Sequence, residues 1–260
     1  MLRPRIIPCL LVHNGGLVKT VNFANPKYVG DPINAVRIFN EKEVDELFVA
    51  DIDATRLGRQ PNYELIRNLA AECRMPLSYA GGVSNAEQIE RIVTLGVEKV
   101  AMNSACAANP DIINEAKERV GSQSIVAVMD VKRTGIFRKL ECFTHNASKS
   151  TGRAPAELAA VYEQAGAGEI IVNSVDRDGA MKGYDHDLVE QVRNVTSLPL
   201  TILGGAGHLD DMKDLISRHH IIGAAAGSLF VFKGKYRAVL INYPTRVEKD
   251  NLLARAGVTA

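Results

Sequence analysis

The chain carries an internal repeat, and a repeat of this kind leaves few folds open. Residues 45–53 (DELFVADID) lie over residues 168–176 (GEIIVNSVD). At the same offset Ala80-Gly81-Gly82-Val83 lies over Leu203-Gly204-Gly205-Ala206, and one residue later Asn103-Ser104-Ala105 lies over Gly227-Ser228-Leu229. Each half alternates short apolar, β-branched runs with stretches of helical periodicity, the pattern of parallel strands buried on both faces and crossed over by helices. Strands are expected at 6–12, 46–52, 76–79, 99–103, 124–129, 170–172, 200–203 and 222–226. Helices are expected at 33–43, 63–73, 86–95, 111–120, 156–165 and 210–217, with another beginning near Val189 and Val192. Eight strand–helix units in 260 residues, four per half, predict one closed (β/α)₈ (TIM) barrel over 1–260 built from two similar half-barrels. Two stretches exceed a routine connection: 16–31, expected to be a functional or mobile loop, and 132–150, a polar excursion with a hairpin around Gly135.

In such a fold chemistry gathers where strands end and loops begin. There the sequence places Gly81-Gly82 and Gly204-Gly205, and, one strand later in each half, Ser104 and Ser228. One Gly-Gly pair more often marks close packing. Two pairs related by a repeat, each followed by a serine, favour two anion cradles of backbone N–H groups, and so a ligand with a phosphate at each end. The loop 176–179 (DRDG) sets charge at the end of the sixth strand. The repeat also exposes an asymmetry. Residues 125–131 lie over 6–12, so Asp130 at the end of the fifth strand is matched by Leu11 at the end of the first. Acid–base work at the centre of the barrel would want two carboxylates there.

Composition excludes several classes. Lys and Arg number 31 against 30 Asp and Glu, a formal charge of +1, so no bulk attraction to nucleic acid or acidic membrane is implied. Cys9, Cys73, Cys106 and Cys142 are scattered without CxxC or paired His spacing, which argues against disulfides and zinc and for a reducing cytoplasm. The N-terminus lacks the pattern of a leader, and no apolar run approaches the roughly 18 residues a membrane span needs. A soluble, cytoplasmic protein without metal or organic cofactor is expected.

The chain resembles, end to end, the cyclase subunit of imidazole glycerol phosphate synthase. The likeness rests on RIIPCL at 5–10, NGGLVK at 14–19, VEKVAMNSA at 97–105, VMDVKR at 128–133, AGAGEI at 165–170, DRDG with KGYD at 176–185, and GGAG at 204–207. It implies phosphate contacts at Gly82, Asn103, Ser104, Asp176, Gly205 and Ser228, with Asp130 catalytic; Lys19 and the loop glycines Gly204 and Gly227 are further substrate-binding candidates from the loops themselves. It also implies a charged gate of Arg5, Glu46, Lys99 and Glu169 on the N-terminal barrel face, where a class-I glutaminase docks and from which ammonia crosses the barrel. Surface ion pairs at strand starts would be the bland account of those four charges.

The family's cyclase uses two aspartates, and the first falls at Leu11. PCLLV followed by NGGLVKTV resembles instead a paralogous group encoded with surface-polysaccharide genes. There barrel and glutaminase supply ammonia to a third, amidotransferase-like protein that forms an acetamidino group on a sugar. Three readings follow: an ammonia-conducting subunit in O-antigen biosynthesis, a working histidine-pathway cyclase, and a non-catalytic phosphosugar-binding scaffold. An intact gate opposes the third, since a scaffold has no use for one.

Overall fold

In the computed structural model, which describes residues 3–234 and 236–258, eight parallel strands close on themselves. The barrel strands are β1 (Arg5–His13), β2 (Leu47–Asp51), β3 (Leu77–Ala80), β4 (Lys99–Met102), β5 (Ile125–Thr134), β6 (Glu169–Ser174), β7 (Leu200–Leu203) and β8 (Gly223–Ala226). Each pairs with its sequence neighbour in parallel; β8 returns to β1 through Arg5↔Gly223, and β5 joins the halves to β6 through Glu169↔Val126. Helices α1 (Pro32–Glu41), α2 (Tyr63–Glu72), α3 (Ala86–Thr94), α4 (Asp111–Val120), α5 (Pro155–Ala165), α6 (His186–Arg193), α7 (Leu209–His219) and α8 (Arg246–Arg255) complete a (β/α)₈ barrel.

Local chemistry sets the helix ends. Asp31, Asn62, Asn85 and Asp185 each accept a hydrogen bond from a first-turn N–H, and Pro32 opens α1 where its missing donor costs nothing. Two apolar layers result. Leu10, Val49, Tyr79, Ile125 and Val172 face the helices, against Phe39, Ile66, Ile89, Ile113 and Leu215. Ile7, Cys9, Phe48, Ala101, Val126, Val128, Ile171, Leu203 and Ala225 form the other cluster, joined by Leu11, Ala50 and Ala80. The alternation along β1 (Ile6 and Leu10 in the first cluster, Ile7 and Cys9 in the second) is the period of two that a strand requires.

The stretch 16–31 is not an irregular loop. It is an antiparallel hairpin, Gly16–Val21 and Ala24–Gly30, whose first strand folds back on β1 through Leu11↔Val18 and Val12↔Leu17. Strand β5 likewise runs on past Asp130 to Thr134 and turns at Gly135 to pair with Lys139–Thr144. Sequence periodicity also missed α8, whose face toward the protein buries only Leu252, leaving no apolar stripe to read.

Candidate functional site

At the C-terminal end of the strands lies a cavity that opens at the barrel mouth, where ligand sites of this fold sit. Its floor is apolar, with Cys9, Leu11, Phe48, Ala101, Val128 and Leu203. Its wall carries Lys19, Asp51, Asn103, Asp130, Asn173 and Asp178.

Asp130 is the centre of the polar wall. Asn103 Nδ2 donates to its Oδ2 at 2.8 Å and Asn173 Nδ2 to its Oδ1 at 3.0 Å. Some of the residue's surface faces the cavity, yet its carboxylate lies deep among protein atoms, and depth governs its titration. Burial pushes its pKa up to about 7, and the nearby charge of Asp178 adds to the rise, against the two amide donors that favour ionisation. Asp178 is itself raised by burial, while Thr20 Oγ1 donates to it at 2.9 Å. Lys19 is buried, its Nζ donates to the Cys9 carbonyl, and burial lowers its pKa. The hairpin after β1 explains this position: by folding back on β1 it carries Lys19 and Thr20 over the barrel. Leu11, half-buried, presents an apolar surface in the same cavity.

Of the residues singled out in the sequence, Lys19, Gly82, Asn103, Ser104, Asp130, Gly227 and Ser228 line this cavity, as does Leu11. Asp176, Gly204 and Gly205 do not. The Asp176 carboxylate accepts from the Arg133 backbone N–H at 2.8 Å, and the Gly205 carbonyl accepts from Gly183 N–H at 2.9 Å. The acid of the DRDG loop that reaches the cavity is Asp178. Strand alternation could not have chosen between them, because a 3₁₀ turn at Val175–Arg177 breaks the period of two. Asp51 and Asn173 also went unselected; each sits at a strand end, which is the only signal the sequence gives.

At the opposite end of the barrel Arg5, Glu46, Lys99 and Glu169 form a closed ring. Arg5 donates to Glu46, and reaches Glu169 Oε1 at 2.7 Å. Lys99 Nζ donates to Glu46 Oε2 at 2.9 Å and to Glu169 Oε2 at 2.8 Å. Each cation therefore bridges both carboxylates. Ser78 and Thr201 hydroxyls supply further donors to Glu46 and Glu169. Burial alone would raise Glu169, but Arg5 and Lys99 hold it below the usual glutamate range. Between ring and cavity the barrel is lined by the apolar set around Ile7, Phe48, Val126 and Ile171. Among the described residues no group of three or more His, Cys, Asp or Glu is placed to hold a metal ion, and no helix is long and apolar enough to cross a membrane.

The family model described as histidine biosynthesis protein matches residues 5–237. The chain belongs to the histidine biosynthesis protein family. It is 54% identical over 252 residues to a Leptospira interrogans protein provisionally named imidazole glycerol phosphate synthase subunit HisF, covering 97% of this chain and 99% of the relative. A Vibrio vulnificus (strain YJ016) protein, provisionally named as subunit hisF3 of the same synthase, is 54% identical over 253 residues, with 97% of each chain covered. One from Pseudomonas aeruginosa, provisionally named subunit hisF2, is 51% identical over 244 residues, 94% of this chain and 97% of the relative. Closed barrel, mouth cavity and N-terminal ring thus belong to a histidine biosynthesis family member along nearly its whole length.

Proposed function

We propose that this family member is the barrel subunit of a glutamine amidotransferase complex whose ammonia leaves the barrel rather than being consumed in a cyclisation. A class-I glutaminase docks on the N-terminal face at the ring of Arg5, Glu46, Lys99 and Glu169. Ammonia then crosses the apolar interior to the cavity at Asp130, for a third, amidotransferase-like protein that forms an acetamidino group on a sugar in O-antigen biosynthesis. The observation that carries this reading is Leu11. The four charges of the ring are all present and paired, which supports a conduit, but the cavity has an apolar side chain where the resemblance implies an aspartate in the cyclases of this family.

The second reading is a working cyclase that makes imidazole glycerol phosphate and an aminoimidazole carboxamide ribotide. Asp130 favours it: a carboxylate with a pKa of about 7 is well matched to proton transfer near neutrality. Lys19, Asn103, Ser104, Gly82, Gly227 and Ser228 would bind the phosphorylated substrate in either reading. One experiment separates them. Barrel, co-encoded glutaminase and co-encoded amidotransferase are given ¹⁵N-amide glutamine together with the N-acetylated sugar and the histidine-pathway substrate. Label in the acetamidino group is expected; label in the imidazole ring would establish the cyclase instead.

A further inference from the structure

We infer that the hairpin tip at 132–139, Lys-Arg-Thr-Gly-Ile-Phe-Arg-Lys, is the arm that docks the ammonia-consuming protein, and that it enters an apolar pocket with an acidic rim. This rests on the conduit reading above, and it names where the exit is covered.

The arm grows out of the polar wall of the cavity. Strand β5 leaves the barrel after Val131, its last partner in β6, and runs on paired only with Lys139–Phe143. From Asp130 to Thr134 that is about 13 Å of extended chain beyond the cavity wall. Its base is fixed: Arg133 Nη2 donates to both carboxylate oxygens of Asp185 at 3.0 Å, its backbone N–H donates to Asp176, and Thr134 Oγ1 donates to Glu141 at 2.9 Å. Nothing comparable holds the tip. Ile136 is 97% exposed and Phe137 86%. With Tyr236 at 90%, on the connection after β8, these are the three most exposed large apolar side chains among the described residues, and all three stand at the C-terminal mouth. Two adjacent apolar side chains in water, on a projection anchored at its base, are the mark of an interaction site rather than of scatter.

Charge narrows the occupant. Arg138 and Lys139 are exposed beside the tip, and among the described residues neither has a carboxylate within ion-pair distance. The nearest acid in the hairpin, Glu141, is turned to Thr134, Ser150 and Gly152. Two cations without carboxylate partners beside Ile-Phe are complementary to an apolar pocket rimmed by Asp and Glu. The same pattern would suit an anionic lipid surface, but a membrane cannot consume ammonia delivered at this mouth. A protein that covers the exit can.

The test uses the barrel with its co-encoded glutaminase and amidotransferase, in two variants, Ile136→Ser/Phe137→Ser and Arg138→Glu/Lys139→Glu. All four side chains are exposed, so melting temperature and glutaminase association should match the parent protein. Affinity for the amidotransferase, read by calorimetry, is expected to fall about 30-fold or more in each variant, the range of an interface anchor. Glutamine-dependent amidination should fall in parallel, while amidination fed by ammonium chloride stays unchanged. Parent-like affinity in both variants would overturn the arm. Binding of the parent protein to vesicles of phosphatidylglycerol and phosphatidylcholine, lost in the variants, with no affinity for the amidotransferase, would assign the tip to a membrane and also overturn it. Failure of the parent protein to bind the glutaminase, with tip-dependent amidotransferase binding intact, would remove the conduit reading and leave the arm standing.

Discussion

Asn173 Nδ2 donates to Asp130 Oδ1 at 3.0 Å across the β5–β6 pairing, in which the two residues stand in register. The pair is local geometry, since residues in register on neighbouring strands point to the same face of the sheet. It holds the Asp130 carboxylate still without fully compensating its depth, so the acid remains half-protonated near pH 7.

That has a consequence for stability. A carboxyl whose pKa is higher folded than unfolded (about 7 against about 3.9) binds more protons in the native state between those values. Its favourable contribution is therefore present below about pH 4 and is lost as pH rises through 7. Asp130→Asn removes the dependence. The variant should exceed the parent protein in stability at pH 8 by on the order of 1 kcal/mol or more, with the advantage shrinking toward pH 4. Urea midpoints across that range measure it, and parallel curves at all pH values would mean that the native carboxyl titrates normally.

Lys99 and Arg5 share two carboxylates that are almost wholly buried, Glu46 and Glu169, with side-chain exposures of 6% and 7%. Lys99→Met leaves Arg5 alone to neutralise both. Breaking a buried pair costs about 3–5 kcal/mol, but the cations are 20–24% exposed and Arg5 survives, so a loss of about 1–3 kcal/mol at pH 7 is expected. Glu169 is held below the usual range, so its contribution is present at neutral pH and disappears as pH falls through that depressed value. The gap between variant and parent should close in strong acid. Chemical denaturation at pH 7 and pH 3 reads both parts, and Lys99→Glu should in addition weaken glutaminase docking.

The eight barrel strands were legible because burial on both faces writes continuous apolar runs, whereas the ring was named by the family resemblance, its four charges at strand starts only agreeing with it. What the sequence hid was side-chain direction after the strands end. Asp176 and Asp178 are two residues apart in one loop, yet one caps the Arg133 amide and the other reaches Thr20 at the cavity. Lys19 was visible as a residue but not as a buried amine, because the hairpin that tucks it inside pairs with β1 through a register no periodicity specifies.

The glycines separate packing from binding. Gly205 has φ +115°, and a Cβ there would run into the Gly183 carbonyl oxygen. Neither strain nor a backbone clash can relax, so Gly205→Ala should fold poorly whatever the cavity binds. At Gly227 the backbone is ordinary, and the nearest atom to an added Cβ is Lys19 Nζ at 2.7 Å, the end of a flexible side chain. Gly227→Ala should keep the melting temperature within a few degrees while displacing the amine. Titration with a bisphosphate sugar analogue should then show weaker binding; unchanged affinity would remove Lys19 and Gly227 from the anion site.

Leu11 decides between delivery and cyclisation. Loss of one member of an acid–base pair typically slows the reaction about 10²–10⁴-fold, and more when the two act as a unit. An apolar side chain in place of a hydrated carboxylate also dries the cavity, which works in the same direction as the burial that raises Asp130. The parent protein, supplied with ammonium salt and the histidine-pathway substrate, should therefore turn over at least about 100-fold more slowly than a cyclase with both aspartates. Leu11→Asp has room to act, since the side chain lines an open cavity and is only half-buried. It should recover part of that rate, while adding a fourth carboxylate to Asp51, Asp130 and Asp178 and lowering stability at pH 8. Substrate loss followed at saturating ammonia is the assay. Parent turnover equal to that of an ordinary cyclase would show that one carboxylate suffices, and the delivery reading would fall with it.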